Sequence, residues 1–305
     1  MKSLCAGLLI SVCFTCTLCR AQGLAPRAYV ITPTGWNAII LTYTFSDGDA
    51  VFDGAIPIID AGAQINLPVL SYYHGFGLFG HSANITASLP YGVGNFSGKV
   101  VGTQQSIYRS GLTDSSYRFS MNLMGGPAMR IDQFRSWRQK TVVGASLTVV
   151  APTGQYDPAR LINQGSNRWA FKPEIGLSQR WRQWILDAYG AVWFFTANGH
   201  YFTGDLVQTQ LPIGAMEMHL SYDVKPRLWF SVDGNFWYGG ATSLDGAETT
   251  NTIQKSSRVG ATASIPLNKH QSVKFSYSAG AYIRLGGNYQ NISAAWQYSW
   301  IPGPK

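Results

Sequence analysis

The chain is short of charge. Asp, Glu, Lys and Arg make up 12% of its 305 residues, against about a quarter in ordinary soluble domains. A water-facing exterior needs charge, whereas a lipid-facing one does not. Basic residues outnumber acidic ones by 23 to 15, but they are dispersed, and without a Lys/Arg cluster a nucleic-acid surface is excluded. Cysteine is missing beyond residue 19: Cys5, Cys13, Cys16 and Cys19 crowd the N-terminus. The rest of the chain therefore has no disulfide framework, thiolate metal site or cysteine nucleophile. No run approaches the roughly 20 apolar residues of a spanning helix, so any membrane span must be built of strands. The five histidines (His74, His81, His200, His219, His270) include no i, i+4 pair on a helix. Neither a metal nor a cofactor is expected. Internal repeats, low-complexity tracts and linkers are also missing, which leaves one domain.

The N-terminus reads as an export signal. Lys2 gives a positive start, residues 4–18 are mostly apolar, and Cys19-Arg20-Ala21 puts small residues at −3 and −1 of a cut after Ala21. The run is too short, and too broken by Ser11, Thr15 and Thr17, for a membrane helix. This predicts a signal peptide over 1–21 and a single domain over 22–305. The mature balance is then 21 basic to 15 acidic, a net of +6, once Lys2 and Arg20 are removed.

What the chain has is alternation. In 272–285 the odd positions Val273, Phe275, Tyr277, Ala279, Ala281, Ile283 and Leu285 are apolar, while Ser272, Lys274, Ser276, Ser278, Gly280, Tyr282 and Arg284 fall between them. Successive strand side chains point to opposite faces, so the segment has one face for lipid and one for a polar interior. About a dozen such segments are found: 36–45, 64–73, 83–89, 117–126, 141–150, 170–180, 184–196, 209–222, 227–238, 258–265, 271–285 and 289–300. Connections at 46–63, 90–116, 151–169, 197–208 and 239–257 are long, and those between them are mostly short. That asymmetry suits extracellular loops and periplasmic turns. Tryptophans gather at strand ends (Trp181, Trp184, Trp229, Trp237, Trp296, Trp300), where rings favour the membrane–water boundary. The reading is all-β: a single transmembrane, antiparallel, up-and-down β-barrel of about twelve strands in the Gram-negative outer membrane, following a cleaved signal peptide. A soluble β-sandwich would have shorter strands and a more charged outward face.

The stretch 151–173 includes Pro152-Thr153-Gly154-x-Tyr156-Asp157, then Asn163-x-Gly165-x-Asn167-x-Trp169. It resembles the signature loop of the meta-pathway phenol-degradation family of outer-membrane β-barrel transporters. Pro26-Arg27-Ala28-Tyr29-x-x-x-Pro33-x-Gly35 and Leu89-Pro90-Tyr91-Gly92 are similar to that family as well, and the likeness runs over the mature chain. It implies passage of hydrophobic small molecules, in a family often encoded beside the degradation of aromatic compounds. For the signature itself a structural role and a substrate gate both stay open.

Parity points the charged residues inward. If the odd face of 271–285 meets lipid, Lys274 and Arg284 line the lumen. The same argument places Arg118, Lys172, Glu174, Asp187, Glu217, His219, Asp233 and Arg258 there, since Arg or Lys at the lipid midplane costs roughly 2–4 kcal/mol. Twelve strands should enclose a narrow lumen in which acids and bases pair. The apolar part of 90–116, around Tyr91-Gly92-Val93-Gly94-Asn95-Phe96, suggests a segment that either folds inward as a constriction or packs on the rim. Twelve-stranded outer-membrane phospholipases make a lipid hydrolase the rival enzyme reading, but His81-Ser82-x-Asn84 cannot bring nucleophile and base together on one strand. No catalytic residue is assigned. The expected function is passive uptake of small hydrophobic or aromatic molecules by a monomer seated in outer-membrane lipid and assembled by the barrel-assembly machinery. The alternative is a structural or adhesive barrel acting through its loops.

Overall fold

The computed structural model describes residues 23–51, 58–100, 103–160, 162–202, 204–249 and 251–302. The expected signal peptide, residues 1–21, lies outside them. Twelve staves close into one antiparallel ring. They are β1 (Asn37–Val51), β2 (Ile58–Leu78), β3 (His81–Val100), the pair β4 (Thr103–Leu112) and β5 (Ser115–Met124), β6 (Thr141–Ala151), β7 (Ala170–Trp181) and β8 (Trp184–Phe195). After the short outer strands β9 (Asn198–Tyr201) and β10 (Leu206–Gln210) come β11 (Ile213–Lys225) and β12 (Leu228–Gly239). Beyond β13 (Thr242–Leu244) and β14 (Ala247–Glu248) the ring resumes with β15 (Gln254–Pro266), β16 (Gln271–Ile283) and β17 (Gly286–Trp300). Strands β4 and β5 form one stave, broken at Thr113-Asp114: β4 pairs with the outer part of β3, and β5 with its inner part. Closure comes from β1, which pairs with β17 from Asn37↔Trp300 to Val51↔Gly286. A ring has no free edge, so every stave's backbone groups are satisfied within lipid.

The alternation in the sequence becomes an inside-out distribution. On β11, Glu217, His219 and Ser221 are buried in the barrel, while Met216, Met218 and Leu220 lie exposed on its outside. Phe230, Val232 and Phe236 continue the apolar exterior on β12, and Phe275 and Tyr277 on β16. Rings band the end where β1 begins and β17 ends. Trp184 packs edge-on against Tyr222 with centroids 4.8 Å apart, and Tyr298 lies 5.9 Å from Trp300. The turns at this end are tight, as at Arg182 and Arg227, both with positive φ. One of them is longer and carries the short helix α1 (Ile131–Ser136). Short turns mark the periplasmic side of such barrels.

At the opposite end the staves outgrow the membrane. Strands β1, β2, β3 and β4 rise above it as a paired wall. Loops 196–212 and 240–253 contribute a second, four-stranded sheet in the order β14-β13-β10-β9.

Candidate functional site: the barrel lumen

One wall of the lumen carries a continuous chain of ion pairs. Strand alternation turns Arg118 (β5), Lys172 and Glu174 (β7), Glu217 and His219 (β11) and Asp233 (β12) inward, and the stave register brings them side by side. Arg118 reaches Glu174 at 3.5 Å, and Lys172 bridges Glu174 at 2.7 Å and Glu217 at 3.4 Å. His219 sits between Glu217 at 3.5 Å and Asp233 at 2.9 Å, and the Thr262 hydroxyl donates to Asp233 at 2.7 Å. Glu174, Glu217, His219 and Asp233 are buried, and Arg118 and Lys172 are partly so. In a low-dielectric interior an unpaired charge is expensive, so each carboxylate's neighbours are what permit it to be there. Asp187 lies off this chain, and Arg258 donates instead to Ser278 and the Tyr289 carbonyl.

Arg284 requires a correction. A bulge carries the pairing from Ser257↔Tyr282 to Arg258↔Gly280, so alternation inverts past Ala281. Tyr282 turns outward, 54% exposed. Ile283 instead packs against the Trp193, Ile213 and Trp237 cluster inside. Arg284 follows the end of β16 and donates to the Ile253 carbonyl at the outer rim. Simple parity failed there because a bulge adds one residue to one strand of a pair.

The largest occupant of the lumen was not foreseen. Residues 23–36 precede the first stave and lie inside the barrel against the charged wall. Asn235 donates to the Gly23 carbonyl, and the Ala25, Arg27 and Ala28 amides donate to Glu217, Asp187 and the Tyr189 hydroxyl. Arg27 also pairs with Asp223 at 2.7 Å and stacks over Trp229. Tyr29 is the deepest anchor. Its hydroxyl donates to Glu174 at 2.9 Å, and its ring meets Tyr189 edge-on at 5.3 Å. Gly144 and Gly176 make that seat: a Cβ on either would lie 2.2 Å from the Tyr29 ring. Below it, Ile31 packs with Met129 and Val142, closing the periplasmic floor with Phe134 and Trp137. The only hints in the sequence were an aperiodic stretch and the motif around Tyr29.

Of the two readings open for 90–116, the inward constriction is not what forms. Strand β3 continues to Val100 and pairs with β4, so the segment is a hairpin of the outer wall. Its inward Phe96 packs with Ala63 and Ile65, against Ile162 and Tyr289. The backbone there alternates as β-structure, with Phe96 turned to that cluster and Tyr91, Ile107 and Tyr108 left exposed.

The opposite wall of the lumen is different in kind. Inward residues of β1, β2, β16 and β17, such as Thr42, Leu67, Ser71, Ser276 and Ser293, are half-exposed, and Lys274 is exposed. The space left beside the N-terminal segment is therefore lined mainly by aliphatic and hydroxyl groups, with the Lys274 ammonium among them.

At the mouth, the signature residues hold one another. Gly154 and Gly165 touch backbone to backbone: a Cβ on Gly154 would fall 2.6 Å from the Gly165 Cα. Asp114, at the break between β4 and β5, accepts from the Gly154 amide at 3.0 Å and from the amide and hydroxyl of Ser166 at 2.9 and 2.6 Å. Asn163 clasps Asp157 through both ends of its amide. Asn198 donates to the Tyr156 hydroxyl and accepts from Asn167, tying the loop to the outer sheet. Burial pushes the Tyr156 phenol up, so it serves as a neutral hydrogen-bonding group. Trp169 stacks on Phe171, and Pro152 ends the ladder of β6.

A family model described as "Putative MetA-pathway of phenol degradation" matches residues 47–281. The chain belongs to that family. No curated protein sequence matches it. Among solved structures, the COG4313 outer membrane channel from Pseudomonas putida F1 is similar at 16% identity, with a TM-score of 0.77 over 91% of this chain and 100% of that one. The P. putida toluene transporter TodX matches at 11% identity and a TM-score of 0.48, over 90% and 92% of the two chains. The transport unit of the Escherichia coli autotransporter AIDA-I matches at 10% and 0.46, over 88% and 90%. The fold of this family member is that of a Gram-negative outer-membrane channel.

Proposed function

We propose that this barrel lets small hydrophobic or aromatic molecules cross the outer membrane passively. The observation that carries the reading is the division of the lumen. The N-terminal segment covers the charged wall, and the surface left open is mainly aliphatic and hydroxyl-bearing, with Lys274 set in it. Such a passage resists large hydrated solutes, because it offers few groups to replace their water. It accepts solutes whose burial is itself favourable. Membership of a phenol-degradation family supports the same class of solute.

In this reading residues 1–21 direct export and are removed, and the barrel-assembly machinery inserts a monomer into outer-membrane lipid. The paired lumen charges hold the N-terminal segment and filter solutes, and they take no catalytic part.

The test uses intact Gram-negative cells, because phospholipid vesicles leak apolar solutes unaided. Cells producing the barrel should accumulate labelled phenol faster than cells lacking it, with no matching gain for a disaccharide. Equal phenol rates in the two strains would refute the proposal.

A further inference from the structure

The described lumen-facing cations are engaged, with one exception. Arg118 and Lys172 pair with Glu174, Arg180 pairs with Asp223, and Arg258 is hydrogen-bonded. Lys274 has no ion-pair or hydrogen-bond partner among the described residues, although it is exposed to the lumen while the barrel encloses it. Asp233 attracts it at longer range, but that carboxylate is already bound by His219 and Thr262.

The surroundings of Lys274 are also specific. The register lines up Ser231, Thr262, Ser276, Ser293 and Thr44 as one row across five adjacent staves. Thr44 and Ser293 bond each other at 2.7 Å, and Thr262 is turned to Asp233. Ser276 is half-exposed and lies two residues from Lys274 on the same face, about 7 Å along the strand. Ser231 is only 4% exposed, and its hydroxyl has no partner among the described residues. Ser231 stands two staves from Ser276 along this row, and a buried hydroxyl left unmet is costly, so the row and the unpaired ammonium next to it offer donors to an acceptor entering the lumen. The row on either side is small, and the lining beyond it on β1 and β2 includes aliphatic Ile40 and Leu67.

We propose that Lys274, with Ser276 and Ser231, is a carboxylate-reading station in the open half of the lumen, and that the barrel's preferred solutes are small apolar carboxylic acids in their ionised form. The ammonium and hydroxyls receive the carboxylate, and the aliphatic side of the passage receives the apolar body. This rests on the uptake reading above and narrows it from hydrophobic molecules to amphipathic anions.

Two measurements test it with the full-length barrel. Bi-ionic reversal potentials of sodium benzoate against sodium chloride, in planar bilayers, report the benzoate-to-chloride permeability ratio without interference from uncharged benzoic acid. Lys274→Met should lower that ratio roughly fivefold, the scale of one partly solvated ion pair, and Lys274→Arg should restore most of it. In intact cells Lys274→Met should slow accumulation of benzoate several-fold more than that of phenol. An unaltered ratio, or equal losses for benzoate and phenol, would overturn the proposal, because Lys274 would then be indifferent to charge or merely structural. If phenol enters faster with the barrel but benzoate gains nothing over it, the carboxylate assignment fails and the uptake reading stands. If neither solute enters faster, both fall together.

Discussion

The docking of the N-terminal segment can be tested through a single side chain. Replacing Tyr29 by Ala removes the hydroxyl's 2.9 Å bond to Glu174 and the edge-on contact with Tyr189 at 5.3 Å. It also leaves empty the seat formed by Gly144 and Gly176. A hydrogen bond to a charged group contributes about 1.5–3 kcal/mol, and an aromatic pair about 0.5–1.5 kcal/mol. Truncating a buried aromatic to Ala typically costs about 3–5 kcal/mol in all. At about 1.4 kcal/mol per decade, the docked-to-undocked ratio should fall by roughly two to three and a half decades. The bonds of Ala25, Arg27 and Ala28 remain, so the segment should loosen intermittently. Single-channel recording should show frequent excursions to a higher conductance that are rare in the parent. Gly176→Leu should give the same result from the other side, because its Cβ would lie 2.2 Å from the Tyr29 ring. Tyr29→Phe, which keeps the ring, should be intermediate. If Tyr29→Ala and Gly176→Leu both fold, by heat-modifiable migration, and match the parent in mean current and in excursions, the segment does not control the lumen.

Other perturbations address the walls and the mouth. Phe275→Arg places a charge in lipid at a cost of roughly 2–4 kcal/mol and should reduce the heat-modifiable folded fraction, whereas Ser276→Arg on the opposite face should fold; equal damage would refute the facing of β16. Asp114→Ala strips three bonds from the signature loop and should let protease cut within 154–166 on intact cells, while the barrel stays folded; unchanged resistance would show the loop is held elsewhere. Gly154→Ala forces a Cβ within 2.6 Å of the Gly165 backbone and should produce the same cleavage. For orientation, a cysteine at Gly246 should label on intact cells, and one at Asn268 only after lysis.

The staves were legible because each strand faces two solvents, and that contrast is written residue by residue. Met216, Glu217, Met218 and His219 on β11 are unambiguous for this reason. Legibility faded where the contrast did. Above the membrane, β3 and β4 no longer face lipid, and Tyr91 to Val100 read as loop although they are paired. The bulge near Ala281 was invisible, since one extra residue leaves composition untouched and only reverses the facing of Tyr282 and Ile283 beyond it. Inward direction could be argued for Lys172 or Asp233 alone. Which acid meets which base depends on stave register, and that belongs to pairs of strands. The N-terminal segment was the hardest case. It has no period of its own, and its seat is assembled from Glu217, Asp187, Tyr189, Glu174 and two glycines spread over β6 to β11.

The geometry of the mouth also bears on where selectivity resides. A residue that reads a solute must hold a polar atom or apolar surface in reserve until the solute arrives. In the signature loop the polar groups are engaged: both ends of the Asn163 amide bind within the loop, and Tyr156 and Asn167 are bound to Asn198. The two glycines lie in mutual contact, and Asp114 joins the loop to the break in the β4–β5 stave. That arrangement fixes the loop against a wall already rigid through β-pairing. In the lumen the situation is reversed, since Lys274, Ser276 and Ser231 have no partners among the described residues. Substitutions in the signature should therefore alter how firmly the mouth is held and leave the ratio between solutes nearly constant. Substitutions on the hydroxyl row should change that ratio in a barrel of unaltered fold.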